Sequence, residues 1–297
     1  MTRLKDRFVE LVSITLVIAS LLSIVIWGNS SSGSNQVSHT ASVILKPKSA
    51  NEIIEFFDGH QYSWPPDDYI VPNIVVKDFP GDMNTLSIDE KKAVFFRLML
   101  PLVMRENQRI LEERSYLIKL SNSGNLGYRQ LKRLSELASK YGVEGGVSDA
   151  GVLTVLSRRI DVIPPAIVLA QAANESAWGT SRFAREANNI FGEWTYKKSQ
   201  GIVPKKRGAG KKHYIRKFAD IEGSLSSYMN NLNRGHAYKK FRLMRSDMRS
   251  NHDSLDALQL VTTLKRYSSR GSDYIAEIKK MILQNSLLEL SKAKFGR

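Results

Sequence analysis

The chain of 297 residues contains no cysteine, and this absence excludes several kinds of chemistry. Without a thiol there is no disulfide framework, no lipid-modified N-terminal cysteine and no cysteine nucleophile. The sequence also lacks a Gly-x-Ser-x-Gly nucleophile elbow and a glycine loop that could cradle phosphate. The five histidines are scattered, at His39, His60, His213, His236 and His252, and none belongs to a His-Glu-x-x-His pair. We therefore predict no metal site and no cofactor.

Acidic residues are scarce in the second half of the chain. Residues 1–150 contain 17 Lys and Arg and 17 Asp and Glu, whereas residues 151–297 contain 27 and 12. The whole excess of positive charge, +15, therefore belongs to residues 151–297. Such a field attracts a polyanion, which could be nucleic acid, anionic lipid or a cell wall that carries carboxylates and phosphates.

The N-terminus narrows that choice. Arg3, Lys5 and Arg7 precede an apolar run, 11–27, that contains no charge. At about 1.5 Å per residue this run nearly spans a ~30 Å hydrocarbon core, and a tilt accommodates a short span. A cleaved signal peptide would begin in the same way, but no convincing Ala-x-Ala site follows the run. We predict a cytoplasmic basic tail over 1–10 and a transmembrane signal anchor over 11–27.

The predicted orientation places the rest of the chain outside the inner membrane, in the periplasm or cell-wall space. Nucleic acid is not expected there, so the cell wall is the favoured polyanion. Serine, glycine and asparagine predominate in 28–42, which is predicted to be a flexible tether.

Residues 43–147 are predicted to form an extended and helical scaffold. Residues 43–86 are rich in proline and favour irregular, extended chain. Ser87 and Glu90 form a plausible capping box that opens a long helix, with Pro101 as a candidate kink. A second helix is predicted from about residue 126 to residue 141, because leucines recur there at the helical period.

Residues 164–181 carry the most informative pattern. Pro164 and Pro165 suit the first positions of a helix, whereas Gly179 suits its exit. Glu175 then lies in the last turn, at the negative end of the helix dipole and close in sequence to several aromatic residues. Both influences raise the pKa of a carboxyl group, and a carboxylic acid that stays protonated near neutral pH can act as a general acid.

The same stretch resembles the signature of the glucosaminidase-type peptidoglycan hydrolases, glycoside hydrolase family 73, and within it the Bax-like bacterial branch. The matching positions are Ala170, Gln171, Ala172, Glu175, Ser176, Trp178, Gly179, Ser181, Asn189, Phe191 and Gly192. The resemblance covers about 150–290. It implies a lysozyme-like catalytic domain over 148–297, mainly α with a small β flap, that cleaves the β-1,4 bond after N-acetylglucosamine in peptidoglycan.

The resemblance also implies roles for individual residues. Glu175 would be the catalytic acid, and the active-site tyrosine of the family maps onto Tyr267, whereas Tyr274 and Tyr228 are interpreted as packing residues. Residues that would contact the glycan are Gln171, Trp178, Asn189, Phe191, Trp194, Lys205 and Lys206.

A second catalytic carboxylate is hard to find. Residues 193–218 are predicted to be a β-hairpin or a three-stranded flap, and no acid lies between Thr195 and Ala219. Of the nearest acids, Asp220 and Glu222 suit the start of a helix, so Glu193 ranks first. Alternatively, the 2-acetamido group of the substrate attacks the anomeric carbon and no second carboxylate is needed.

Two rival functions stay open at this point. The flap without acids favours a non-catalytic peptidoglycan-binding module that keeps a lysozyme-like fold. The positive charge alone would suit an anchored nucleic-acid binder, but no recognition motif accompanies it.

Overall fold

The computed structural model describes residues 43–123, 125–145, 150–204, 210 and 212–296. The α-helices of these residues are α1 (Ala50–Gly59), α2 (Ile88–Ser121), α3 (Tyr128–Tyr141), α4 (Ala150–Arg159), α5 (Pro165–Ser176), α6 (Arg182–Ala187), α7 (Ile221–Arg234), α8 (Lys239–Ser250), α9 (Ala257–Val261) and α10 (Ser272–Gln284). The strands are β1 (Val43–Leu45), β2 (Ile70–Val71), β3 (Ile74–Val76), β4 (Trp194–Thr195), β5 (Gly201–Ile202), β6 (Tyr214–Arg216) and β7 (Lys294–Phe295). The prediction of a mainly helical protein is confirmed.

Some predictions concern residues that the structure does not describe. The basic tail, the signal anchor and the tether, 1–42, lie outside the described residues, as do Lys205 and Lys206. Within the described ranges, every helix is too short or too polar to cross a membrane.

The described residues form two compact units. One unit consists of Gln108–Val162 and Leu232–Tyr267, and the other consists of 43–107, 163–231 and 268–296. Each unit therefore draws on residues from both sides of the predicted boundary between 147 and 148. Helix α2 contributes its first half to one unit and its second half to the other.

The unit that contains α3, α4, α8 and α9 is organised around a buried acid. Asp161 Oδ1 lies 3.2 Å from Arg249 Nη2, and Arg245 Nη1 donates to the Asp161 carbonyl oxygen over 2.9 Å. Burial opposes ionisation of Asp161, but the charges of Arg114, Arg245 and Arg249 lower its pKa to about 2. The carboxylate is thus ionised and structural.

The other unit is built around α5. Its residues from Ala166 to Ala173 are all buried, and the four alanines among them allow neighbouring elements to approach closely. Helix α10 and the 3₁₀ helix Leu287–Lys292 pack directly against it. This packing fixes the helix that carries Glu175.

The two predicted scaffold helices are confirmed as α2 and α3. Ser87 N–H donates to Glu90 Oε2 over 3.1 Å and Glu90 N–H donates to Ser87 Oγ over 3.3 Å, so the predicted capping box is present. The expectation of irregular chain over 43–86 is wrong in one respect, because α1 lies within it. Ser49 caps α1 by accepting from Glu52 N–H over 3.2 Å, and Ile53 and Phe57 bury one face.

The flap is the three-stranded antiparallel sheet β4-β6-β5, which confirms one of the two predicted forms. At Gly201 a Cβ atom would lie 2.6 Å from the Ile215 carbonyl oxygen, so only glycine allows these strands to meet. The other two sheets are parallel pairs, β1 with β3 and β2 with β7.

Candidate active site

Glu175 lies in the last turn of α5, as predicted, and the following turn fixes its position. The chain leaves α5 through three consecutive residues with positive φ, Ala177, Trp178 and Gly179. The buried Ser176 hydroxyl accepts from Gly179 N–H over 2.9 Å and donates to the Ala172 carbonyl oxygen over 2.6 Å. At Gly179 a Cβ atom would lie 3.0 Å from the Phe79 ring, so glycine is needed for space as well as for its φ of 78°.

Ser181 then caps the next helix, α6, by accepting from Ala184 N–H over 3.2 Å. The predicted helix exit is confirmed. The local backbone around Glu175 is therefore fixed on both sides.

The Glu175 carboxyl group is half-buried and has two neutral hydrogen-bond donors. The Tyr274 hydroxyl donates to Glu175 Oε1 over 3.0 Å, and Asn174 Nδ2 donates to the same oxygen over 3.3 Å. Burial raises the pKa of Glu175, whereas these hydrogen bonds and the charge of Arg270 oppose the rise. The predicted direction of the shift is confirmed.

A chain of hydrogen bonds continues from Tyr274 into the core. Gln171 Nε2 donates to the Tyr274 hydroxyl over 2.7 Å, and the Tyr228 hydroxyl donates to Gln171 Oε1. Because the Tyr274 oxygen accepts from Gln171, its own hydrogen is directed to Glu175. Glu175 Oε1 accepts from both of its donors, so Oε2 is the oxygen that is available to carry a proton.

The positive charge of Arg270 lowers the pKa of Glu175, and Arg270 also forms an ion pair with Glu277. Its guanidinium carbon lies 5.6 Å from the centre of the Tyr274 ring, and its Nη2 lies 2.6 Å from Glu277 Oε2. Glu277 raises the pKa of Glu175 while Arg270 lowers it, so the ion pair limits the net effect of either charge.

Glu193 occupies a different setting at the base of the flap. Its Oε2 accepts from Ser227 Oγ over 2.8 Å and from Arg216 Nη1 over 3.3 Å. Its Oε1 is buried and has no hydrogen-bond partner among the described residues. Burial raises the pKa of Glu193, while Ser227 and Arg216 oppose the rise. Glu193 thus has structural partners, which the sequence did not indicate.

The two other candidate acids have the structural roles that the sequence indicated. Asp220 accepts from Gly223 N–H over 2.8 Å and so caps α7. Glu222, in the first turn of α7, lies 3.5 Å from Arg105 Nε.

Two of the residues predicted to contact the glycan are wholly internal. Gln171 is 0% exposed and Asn189 is 1% exposed. Asn189 Nδ2 donates to the carbonyl oxygens of Glu193 and Arg216, each over 2.8 Å, and its Oδ1 accepts from Glu193 N–H over 2.9 Å. Asn189 therefore joins the flap to the turn that precedes it.

The three predicted aromatic contacts differ in exposure. Phe191 is buried and stacks on Tyr228 with the ring centres 3.7 Å apart. Trp178 is half-buried and lies edge-on to Phe96 at 5.1 Å. Trp194 is 60% exposed and stacks on His213 at 4.2 Å, so it is the one of the three that offers an open ring face to a sugar.

Residues 153–287 match the sequence profile of the Glucosaminidase family, described as mannosyl-glycoprotein endo-beta-N-acetylglucosaminidase. The chain is also 32% identical over 185 residues to Protein bax of Escherichia coli (strain K12), over 62% of this chain and 66% of that protein. Residues 153–287 are therefore similar to a glucosaminidase domain. The resemblance found in the sequence, including its Bax-like branch, is thereby confirmed. No solved structure matches the chain significantly.

Tyr267 and Glu175 belong to different compact units of the chain. Tyr267 is the last residue of the unit that contains α8, and its ring centre lies 6.4 Å from that of Tyr238. Its assignment as the active-site tyrosine stays a prediction, as does the catalytic assignment of Glu193.

The main omission of the sequence reasoning is Tyr274. This residue was interpreted as a core tyrosine with a satisfied hydroxyl, and it is buried, but its hydrogen-bond acceptor is Glu175. One signal was available in the sequence. Gln171 and Glu175 are four residues apart on a helix, so their side chains lie on one face and a single tyrosine hydroxyl can contact both. In the described part of the glucosaminidase domain, no group of three or more His, Asp or Glu side chains could hold a metal ion.

Proposed function

We propose that the chain hydrolyses the β-1,4 glycosidic bond after N-acetylglucosamine in peptidoglycan, with Glu175 as the general acid. The observation that carries this proposal is the setting of Glu175, which is half-buried and bonded through Oε1 to the neutral donors Tyr274 and Asn174. A carboxyl group in such a setting can hold a proton near neutral pH and release it in the transition state. The glucosaminidase family match supports the glycosidase class, and the positive charge of residues 151–297 supports an anionic wall polymer as substrate.

The proposed first step breaks the bond between the anomeric carbon and the leaving oxygen. Glu175 Oε2 gives its proton to that oxygen and becomes a carboxylate. The acetamido oxygen of the same N-acetylglucosamine attacks the anomeric carbon and closes a five-membered ring. Tyr267 would orient or polarise the acetamido group.

In the second step, water opens this ring and Glu175 takes a proton from the water, which restores the acid. Configuration at the anomeric carbon is retained because two displacements have occurred. Tyr274 and Asn174 continue to bind Oε1 throughout, so the proton always leaves from and returns to Oε2.

Gln171 and Asn189 take internal roles in this proposal. Gln171 orients the Tyr274 hydroxyl, and Asn189 joins the flap to the turn before it. Trp194 supplies the exposed ring for a sugar, and Lys205 and Lys206 would bind wall anions. The signal anchor, 11–27, would hold the domain on the outer side of the inner membrane.

A second candidate function is a peptidoglycan-binding module without turnover. It is favoured by one observation, namely that the flap sequence between Thr195 and Ala219 contains no acid. Binding to the wall would then occur without new chain ends.

Product analysis separates these functions. The full-length chain is incubated with purified peptidoglycan, and new reducing ends are identified by mass spectrometry. Reducing N-acetylglucosamine supports the proposal, whereas reducing N-acetylmuramic acid identifies a muramidase instead. Binding without new ends leaves only the binding module.

A further inference from the structure

A second cluster of charged side chains lies in the unit that contains α3, α4 and α8. A cavity of about 640 Å³ is lined there by Arg158, Arg159, Arg234, His236, Lys239 and Arg242. We refer to this cavity as the arginine pocket. Val155 and Leu243 supply apolar wall, and none of the described residues that line the pocket is acidic.

The positive charges of the arginine pocket converge on one backbone position. A Cβ atom at Gly142 would lie 3.3 Å from Arg234 Nε and 3.4 Å from Arg159 Nη1. Both guanidinium groups therefore approach the same small volume, which a larger residue would fill. Gly142 also has a φ of 64°, so its backbone favours glycine as well.

The protein holds these charges together without acidic partners. In the described part of the chain, none of Arg159, Arg234 and Arg242 lies within ion-pair distance of a carboxylate. Burial and the charge of Arg234 lower the pKa of Arg159, and burial and the charge of Arg159 lower the pKa of Arg242 to about 10. Like charges thus oppose one another in the arginine pocket.

Two other arginines of helix α8 have a carboxylate partner. Arg245 and Arg249 belong to the same helix as Arg242, and both lie against the buried carboxylate of Asp161. Arg242 has carbonyl groups instead, because its Nη1 donates to Leu232 O over 3.0 Å and to Gly235 O over 2.8 Å. The contrast indicates that the arginine pocket lacks an anion that the Asp161 cluster has.

The carbonyl contacts also fix the geometry of the pocket. Arg159 Nη1 donates to the carbonyl oxygens of Tyr141 and Gly142, each over 2.6 Å, at the end of α3. These contacts use one nitrogen of each guanidinium, and a guanidinium has five N–H donors. The partial negative charge of a helix end, about half an elementary charge, offsets only part of the positive charge.

We propose that the arginine pocket is a second binding site, specific for an oxyanion on a sugar-sized group. Paired guanidiniums bind carboxylate or phosphate bidentately. A volume of about 640 Å³ lies within the range of small-molecule sites. Val155 and Leu243 can contact the carbon atoms of the ligand. That the oxyanion belongs to the cell wall rests on the proposed function, whereas the affinity for oxyanions does not.

Titration calorimetry of the full-length chain tests the site with N-acetylmuramic acid, N-acetylglucosamine and inorganic phosphate. N-acetylmuramic acid carries a lactyl carboxylate that N-acetylglucosamine lacks, so saturable binding that depends on the arginine pocket is expected for the first and not for the second. Arg234→Gln/Lys239→Gln removes two exposed cations of the pocket and should weaken this binding at least about tenfold. Saturable binding of phosphate with the same dependence on this variant also supports the oxyanion site and identifies phosphate as a source.

The matched control is Arg129→Gln/Lys132→Gln, which removes two exposed charges from α3 in the same unit. It should change the affinity less than about twofold, because neither side chain lines the arginine pocket. Thermal unfolding of both variants verifies that they fold. Equal losses in both variants, or no saturable binding to the wild-type chain, would overturn the proposal. Binding needs no turnover, so this result is independent of whether Glu175 is a catalytic acid.

Discussion

Glu175 and Glu193 are two carboxyl groups of the same compact unit, and burial raises the pKa of both. They differ in their partners. Glu175 has the neutral donors Tyr274 and Asn174, whereas Glu193 has Ser227 and the guanidinium of Arg216. A cation within ion-pair distance favours the ionised form, so the ion pair with Arg216 distinguishes Glu193 from Glu175. On this comparison we propose acid chemistry for Glu175 and anchoring of the flap for Glu193.

The different roles of Glu175 and Glu193 are tested by two separate substitutions, one at Glu193 and one at Tyr267. Tyr267→Phe should lower the turnover of peptidoglycan by about 10²–10³-fold, because a donor to developing charge is lost. Glu193→Gln should change turnover little, because the substrate supplies the nucleophile. Initial rates of both variants and the anomeric configuration of fresh product are measured.

Retention of configuration is expected. Inversion, together with an inactive Glu193→Gln and an unaffected Tyr267→Phe, would show that Glu193 activates water and that the assignment by partners is wrong.

Tyr274→Phe sharpens the account of Glu175. The hydrogen bond from Tyr274 lowers the pKa of Glu175, so its loss should raise that pKa further. Because the protonated acid is the active form, the pH at which activity falls on the alkaline side should move upward. Turnover should fall about tenfold, since a hydrogen bond to a charged group is worth about 1.5–3 kcal/mol.

The measurement for this prediction is the pH dependence of kcat. Tyr128→Phe is the matched control, since Tyr128 is 81% exposed. A lower rate with an unshifted pH profile would show that Tyr274 has a structural role only.

The flap that Glu193 anchors should also bind the wall by charge. Lys205, Lys206 and Lys211 changed together to Gln should weaken sedimentation with peptidoglycan a few-fold and flatten its salt dependence. Exposed charges are screened beyond about 8 Å at physiological salt, so the effect should be largest at low salt. Lys119, Lys132 and Arg129, which are exposed and lie on α2 and α3, serve as a charge-matched control set. Identical salt dependence of the flap variant and the control variant would mean that the flap has no special affinity for peptidoglycan.

The smallest expected effect is on stability. A raised pKa in the folded state means that the stability from Glu193 is complete below its unfolded pKa, about 4.3, and is lost as the pH rises through the folded value. Glu193→Gln cannot titrate, so its urea midpoint should fall less than that of the wild-type chain between about pH 4 and pH 7. Glu55→Gln, at an exposed position, is the control. An equal fall in all three proteins would show that the environment of Glu193 does not favour its proton.

Local signals in the sequence predicted much of the fold. The Ser87 and Glu90 capping box, the prolines at the start of α5 and the cap at Ser181 are all encoded within four residues, and all are present. Helix α1 was missed because the prolines around it outweighed the Ser49 and Glu52 cap. The two-unit organisation was not predictable, since a helix such as α2 can contribute to both units without any break in its pattern.

The site was predictable only in part, for a related reason. The motif singled out Glu175, but its partner Tyr274 is 99 residues further along the chain. The partners of Glu193, Arg216 and Ser227, are 23 and 34 residues away from it. Pairings over such separations depend on tertiary packing, which spacing and propensity do not encode.

The most direct test of the central claim is the rate at which Glu175→Gln produces new reducing ends from purified peptidoglycan. The substitution keeps the volume and removes the acidic proton, so a loss of about 10²–10⁴-fold is expected, with wall binding and thermal unfolding nearly unchanged. Glu55→Gln should retain the wild-type rate. Retention of more than about a tenth of the wild-type rate by Glu175→Gln would contradict the account, because the catalytic acid would then be another group.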